Sequence, residues 1–352
     1  MIFRQLFDPV SSTYTYILAC ESNHEAIIID PVFEHHDRDT ALIRELNLTV
    51  RYTVDTHVHA DHVTGAWLKK QEFGAEIAIA DAAGTENADV RLKDGDALAF
   101  GDCSITALAT PGHTVGCMTF VTNDMGMAFT GDCLLIRAAG RTDFQAGDIE
   151  AMWHSIRDKI FNLPDDCLIY PAHDYMGRTV STVTEEKRFN PRIGGDARKE
   201  DFTGYMENLN LPHPKLLDIA LPANFVCGKP EEEGISNPSW GPITVTFAGI
   251  PEVEPDWVAR NRESLCILDV RSEAEFRGDL GHIEASTLIP LDELRERLDE
   301  VPTDMPVVVI CQSGKRSAMA TQILQSAGFE QIANIPGGLI HWARLALPGL
   351  AA

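Results

Sequence analysis

The stretch Thr56-His57-Val58-His59-Ala60-Asp61-His62 constrains this chain more than any other. It follows directly on Val50 to Val54, an apolar run that reads as a buried strand. Packing three imidazoles and a carboxylate this closely costs free energy unless they share a task, and their nitrogen and oxygen donors suit zinc, iron or manganese. Similar residues stand at the ends of later predicted strands: His113 in Thr110-Pro111-Gly112-His113-Thr114, Asp132 in Thr130-Gly131-Asp132, and His173 in Pro171-Ala172-His173-Asp174. Loops at neighbouring strand ends converge on one edge of a sheet. The pattern therefore predicts a metal site assembled from distant segments. His24, His35, His36, His154, His213 and His341 stand apart from it and are expected to be ordinary surface or satisfied core histidines.

The surrounding rhythm predicts an α/β fold. Short apolar runs at 26–30, 50–54, 76–80, 97–100, 104–109, 118–121, 127–130 and 167–170 read as strands, with helices at 65–73 and 149–162. Meandering strands of this kind suit two packed sheets flanked by helices. Residues 181–228 read as a helical or irregular extension. The Gly-, Pro- and Glu-rich stretch 229–242 reads as a linker. Beyond it, strands at 265–270, 306–311 and 331–335 alternate with helices at 292–299, 317–328 and 339–345, which implies a parallel sheet. A length of 352 residues suits two domains, placed at 1–228 and 243–352.

The formal charge of −24 excludes a nucleic-acid partner and an anionic membrane surface, both of which need a basic face. No apolar stretch is long enough to span a bilayer. Met1-Ile2-Phe3-Arg4-Gln5 carries no signal-peptide pattern, and the eight cysteines form no close pairs. A reducing cytoplasm is the expected location.

A second chemical signal is Val307-Val308-Val309-Ile310-Cys311-Gln312-Ser313-Gly314-Lys315-Arg316-Ser317. A buried strand ends in a cysteine, a short loop follows, and a helix begins near Ser317. Such a loop wraps backbone N–H groups around the sulfur while the helix N-terminus adds positive potential. Lys315 and Arg316 reinforce it, so Cys311 is expected to be a reactive thiolate. A phosphatase loop needs one more residue before its arginine. Cys20, Cys103, Cys117, Cys133, Cys167 and Cys266 are expected to pack as small apolar residues.

His57 through His62 resemble the hallmark of the metallo-β-lactamase superfamily, which implies an αβ/βα sandwich with the metal at one edge. Gly140-Arg141-Thr142-Asp143-Phe144, Pro171 to Tyr175, Phe189-Asn190-Pro191-Arg192, Asn208 to Pro212 and Pro222 to Gly228 are similar, more narrowly, to the persulfide dioxygenases. That resemblance implies one Fe(II) per chain held by His57, His113 and Asp132, with His59, Asp61, His62 and His173 outside the ligand set. It implies glutathione persulfide and O2 as substrates, with Arg141, Tyr175 and Arg192 binding the glutathione part. Cys227 falls in the same likeness, either near the site or as a buried inert thiol.

Cys311 to Arg316 resemble the active loop of the rhodanese sulfurtransferases, as do Asp269-Val270-Arg271, Gly281-His282-Ile283 and Gly337-Gly338 before Trp342. This implies a three-layer α/β domain in which Cys311, with Lys315 and Arg316, carries sulfur among thiosulfate, sulfite and glutathione. The whole resembles persulfide dioxygenase–rhodanese fusions, with homo-oligomerisation left open. Two other readings stand beside it. One is a two-zinc glutathione thioester hydrolase; the other is a sulfur carrier that serves a partner protein without turning over thiosulfate.

Overall fold

The computed structural model describes residues 1–212, 214–230 and 240–351. His213 and the 231–239 part of the expected linker therefore lie outside the described residues. By internal packing the described residues divide into one unit of 1–36 with 46–230 and another of 37–45 with 240–351.

The first unit is a sandwich of two six-stranded sheets. Its first sheet runs in chain order through β1 (Ile2–Phe7), β2 (Tyr14–Ala19), β3 (Glu25–Ile29), β4 (Thr49–Val54), β5 (Glu76–Ala80) and β6 (Val90–Leu92). The pairs β1–β2 and β2–β3 are antiparallel, and from β3 onward the pairing is parallel. Parallel neighbours need a crossover. Helix α2 (Ala66–Phe73) supplies the one between β4 and β5; α1 (His36–Glu45) follows β3 in the chain, but 37–45 fall in the second unit.

The second sheet contains β7 (Ala97–Phe100), β8 (Cys103–Ala109), β9 (Met118–Thr122) and β10 (Met127–Gly131). A short hairpin follows, β11 (Leu134–Leu135) with β12 (Ala138–Ala139). The chain then returns through α3 (Ile149–His154) to β13 (Leu168–Pro171), parallel to β10, and ends the sheet at β14 (Ser181–Thr182). Alternation along these strands sorts the core. Phe120 and Phe129 join Tyr16, Leu18, Ile27 and Val54 between the sheets, while their neighbours Val121 and Ala128 face Met152, Ile156 and Ile160 on the outside. Helices α4 (Val183–Phe189), α5 (Lys199–Glu207) and α6 (Leu217–Phe225) make up the extension.

The second unit carries a six-stranded sheet ordered β15 (Thr244–Val245), β16 (Pro251–Glu252), β21 (Ile332–Asn334), β20 (Val307–Ile310), β17 (Cys266–Asp269) and β19 (Thr287–Leu288). All its pairs are parallel except the edge pair β15–β16. Strands β18 (His282–Ile283) and β22 (Leu350–Ala351) form a separate pair. Val307 and Val309 enter one apolar cluster while Val308 and Ile310 enter the other, which contains Leu339 and the fully buried Trp342. A strand buried on both faces is the mark of a sheet covered on both sides. Helices α7 (Pro255–Asn261), α8 (Glu273–Phe276), α9 (Lys315–Ser326) and α10 (Gly338–Arg344) complete the unit.

Several expectations need correction. The helix expected over 292–299 is instead two 3₁₀ turns, Leu294–Glu296 and Leu298–Glu300. Leu291, Leu294 and Leu298 pack on one apolar cluster, and short turns satisfy that spacing without a full helix. The helix over 149–162 is α-helical only to His154, then π-helical over Ser155–Lys159 and 3₁₀ over Ile160–Asn162. Helix α9 begins at Lys315, so Lys315 and Arg316 lie in its first turn.

Candidate metal centre and cysteine loop

Every residue of the predicted metal cluster lies at or just beyond a strand end of the first unit. The His57–His62 segment follows β4, His113 precedes β9, Asp132 follows β10, and His173 follows β13. Gly131 makes the turn into Asp132 possible. Its φ is +53°, and a Cβ there would lie 2.9 Å from the Thr56 side chain.

His57, His113 and Asp132 form one group whose donor atoms lie within 4.8 Å of one another. Hydrogen bonds fix both imidazole tautomers. Thr56 Oγ1 donates to Asp30 Oδ2 at 2.9 Å and therefore accepts from His57 Nδ1 at 3.0 Å. His113 Nδ1 donates to the Arg141 carbonyl at 2.7 Å. Each ring thus keeps the Nε2 lone pair for the pocket, and His113 Nε2 stands 3.7 Å from Asp132 Oδ2. Burial, joined by neighbouring His59, drives the His57 pKa well down, and burial lowers that of His113. Asp132 resists its burial because His173 beside it holds the carboxyl well below the usual range. Neutral imidazoles with an ionised carboxylate are the protonation states that a metal requires.

His59, Asp61, His62 and His173 form a second group of the same compactness. Its electrostatics differ. His173 spends both nitrogens on carboxylates, Nδ1 on Asp132 Oδ1 at 2.6 Å and Nε2 on Asp61 Oδ2 at 2.8 Å. Those two carboxylates overcome burial and push its pKa well up. His59 Nε2 lies 3.1 Å from Asp30 Oδ1, and Asp30 likewise outweighs burial to raise the His59 pKa. Among the described residues neither His59 nitrogen makes a well-aligned hydrogen bond, and His62 Nε2 is also buried without one.

Three supporting residues escaped the sequence reading. Thr13 Oγ1 reaches Asp61, His62 and His173 at 2.9 to 3.3 Å. Asp30 accepts from the Thr56 N–H at 2.7 Å and anchors the strand end. Asn224 in α6 donates to the carbonyls of His59 and His62 and accepts from the Thr64 N–H at 2.8 Å. A buried asparagine bonded three ways to one loop holds that loop's shape. Asn224→Ala is expected to weaken metal retention by about 10- to 100-fold, as outer-sphere changes do; titration of the purified variant against a chelator checks this.

The expected substrate contacts fall into two kinds. Arg141 engages four of its N–H groups, on Asp143 Oδ1 and Oδ2 and on the carbonyls of Leu211 and Pro212, and it stacks on Phe144. Arg192 donates to the Ala139 carbonyl at 2.5 Å and lies over Tyr205, its other side-chain donors unengaged among the described residues. Tyr175 is 69% exposed and stacks parallel to His173. A cavity of about 480 Å3 opens beside the metal loops, lined by Val58, Thr114, Phe144, Leu217, Leu221 and Phe225. Cys227 is buried, donates to the Glu86 carbonyl, and is pushed by burial up to about 12, which makes it an inert thiol.

In the second unit Cys311 directly follows β20 and is buried. Burial alone would raise its pKa. The Ser317 hydroxyl, 3.3 Å from Sγ, and the backbone N–H groups of Ser317, Ser313 and Gly314 reverse this and lower it. Arg316 forms a bidentate pair with Glu275 at 2.7 and 2.5 Å, and Lys315 is exposed. Ser317, read from sequence only as a helix start, is therefore the side chain that touches the sulfur. Arg271, buried on Asp269, braces the wall by donating to the Glu275 and Gly281 carbonyls. Gly338 has φ +59°, and a Cβ there would meet the Cys311 carbonyl at 2.3 Å. Gly338→Ala should therefore displace the loop and abolish sulfur transfer while leaving metal binding intact, measurable by paired assays on one preparation.

The matches to known proteins follow this division. Residues 8–173 match the model for the metallo-beta-lactamase superfamily, and residues 254–345 match that for the rhodanese-like domain. Human "Persulfide dioxygenase ETHE1, mitochondrial" is 52% identical over 229 residues, covering 65% of this chain and 89% of that protein. The chain belongs to the persulfide dioxygenase family. The crystal structure of ETHE1 from Myxococcus xanthus aligns at 47% identity with a TM-score of 0.63, covering 65% of this chain and 100% of that one. A Staphylococcus aureus metallo-beta-lactamase at 23% identity shares the fold over 96% of this chain and 98% of its own, with a TM-score of 0.60. This persulfide dioxygenase relative thus joins a metallo-β-lactamase fold to a rhodanese domain, the α/β architecture expected from its sequence.

Proposed function

We propose that the first unit oxidises glutathione persulfide with O2 and water to glutathione and sulfite, at one Fe(II) held by His57, His113 and Asp132. The observation that carries this reading is the unequal state of the two His/Asp groups. His57 and His113 aim Nε2 lone pairs at an ionised Asp132, whereas His173 has both nitrogens committed to carboxylates. Two histidines and a carboxylate on one face leave positions open, which suits a non-haem Fe(II) oxygenase. Iron bound there would supply the point at which the terminal persulfide sulfur and O2 meet. The reaction balances as glutathione persulfide, O2 and water giving glutathione, sulfite and two protons.

The chain's own residues would orient and screen that chemistry. Thr56 and the Arg141 carbonyl fix the two ring tautomers. The imidazolium of His173, between Asp132 and Asp61, holds the Asp132 carboxylate in place. Arg192, with donors to spare, would take a glutathione carboxylate. Arg141 is better suited to bracing the loop that carries its carbonyl. Tyr175 at the mouth would cover the bound thiol, and the apolar cavity wall would keep bulk water away from it.

In the second unit Cys311 would carry sulfane sulfur among thiosulfate, sulfite and glutathione. Ser317 and the loop N–H groups would stabilise the charged sulfur, Lys315 would supply positive potential at the rim, and Arg316, paired with Glu275, would brace the loop.

The compact His59, Asp61, His62 and His173 group, with its unbonded His62 Nε2, favours a second reading as a two-metal hydrolase. Elemental analysis of protein purified after growth with both metals separates them. One iron per chain is expected; two zincs would favour the hydrolase.

A further inference from the structure

The cavity of about 480 Å3 in the first unit falls within the range of pockets for small organic molecules, about 300 to 1,000 Å3. It borders the metal centre. Among its lining residues Val58 lies between His57 and His59, and Thr114 follows His113. The Phe144 ring stands edge-on to the His113 ring, with centroids 5.8 Å apart. One wall is helical: Leu217, Leu221 and Phe225 are spaced four apart and share a face of α6. Asn224 in the same helix donates to the His59 and His62 carbonyls, which fixes that wall to the metal loop. A second wall is formed by Phe144, Gln145 and Ala146. Gln145 and Ala146 hold φ of +52° and +55°, a conformation that costs such residues free energy and persists only where contacts hold it. The bond from Gln145 Nε2 to the Val58 carbonyl, at 2.9 Å, is one such contact.

Among the described residues no charged side chain lines this cavity. Its hydroxyl, on Thr114, is already engaged with the Cys117 sulfur at 3.2 Å. Glutathione carries two carboxylates and an ammonium group, and each would be costly to bury there unpaired. Arg192, the carboxylate partner, is not part of the lining. The charged ends of glutathione therefore belong outside the cavity, and its walls suit an apolar group.

We propose that this cavity binds the organic group of alkyl and aryl persulfides, which makes them a second class of substrate for the metal centre. The persulfide, O2 and water give the alkyl or aryl thiol, sulfite and two protons. The S–S bond breaks, the inner sulfur leaves as the thiol, and the two sulfurs together give up the four electrons that O2 takes. Turnover rests on the proposed dioxygenase reading; binding of the apolar group does not. Each methylene buried against Leu217, Leu221 and Phe144 should raise affinity about four-fold.

The test titrates the full-length protein with n-alkyl methyl sulfides, from ethyl to pentyl, by isothermal titration calorimetry. These probes carry the apolar group without a persulfide to oxidise. Affinity should rise about 60-fold across the series, and kcat/KM for O2 uptake with the matching n-alkyl persulfides should follow it. Leu217→Phe, which fills the cavity from its helical wall, should flatten both trends. The wild-type series decides the matter even if that variant does not fold. Equal affinity for the ethyl and pentyl probes overturns the inference, as does a trend that folded Leu217→Phe leaves intact. So does O2 uptake with glutathione persulfide but with no alkyl persulfide. No uptake with either class, with the affinity trend in place, would instead count against the dioxygenase reading and leave the cavity as the binding site.

Discussion

His113→Ala should leave the chain folded yet lower O2 uptake with glutathione persulfide by more than about 100-fold, the upper end of what outer-sphere changes cost. The ring contributes the Nε2 lone pair that faces Asp132 Oδ2, and its Nδ1 bond to the Arg141 carbonyl is what aims it. Alanine removes the donor and leaves only that carbonyl without its partner, a modest structural cost. His62→Ala serves as the comparison. His62 contacts Asp61 and Thr13, so its loss should fall within the about 10- to 100-fold range of supporting residues. A mononuclear centre predicts this inequality between the two variants, whereas a two-metal centre predicts comparable losses. Iron content and O2 uptake, measured together on each variant, check it.

Cys311→Ser is expected to reduce thiosulfate-dependent sulfur transfer to background while O2 uptake with persulfide stays unchanged. A hydroxyl fits the space of the thiol, so the loop and the Ser317 contact survive. It cannot form a persulfide, and its pKa is far too high for Ser317, Ser313 and Gly314 to stabilise an oxyanion there. A sulfur carrier without small-molecule turnover would show no change in thiosulfate kinetics. Both rates measured on one preparation therefore separate an enzyme from a carrier.

The candidate site residues were legible because their types are costly to place at random. His57 through His62 after a buried strand, and Cys311 after four β-branched residues, announce strand-end sites from local pattern alone. Strands buried on both faces, such as Val307–Ile310, were legible as unbroken apolar runs. Short elements were not. The two-residue strands at Thr244–Val245 and Pro251–Glu252 have no periodicity to read, and helix α1 begins at His36 without a capping signal.

Supporting residues were hidden for a related reason. Thr13, Asp30 and Asn224 are common residue types, and they become informative only once tertiary contacts bring them against the histidines. Which histidines would bind metal was read from the sequence only through family resemblance, because the physical basis for that choice is which ring nitrogen each hydrogen bond occupies.

The most direct measurement is O2 consumption by the iron-loaded protein on addition of glutathione persulfide, with sulfite quantified in the same vessel. One O2 consumed per sulfite formed, in proportion to bound iron, is the expected result. No uptake from protein carrying two zincs, together with rapid cleavage of a glutathione thioester, would contradict it and establish the hydrolase instead.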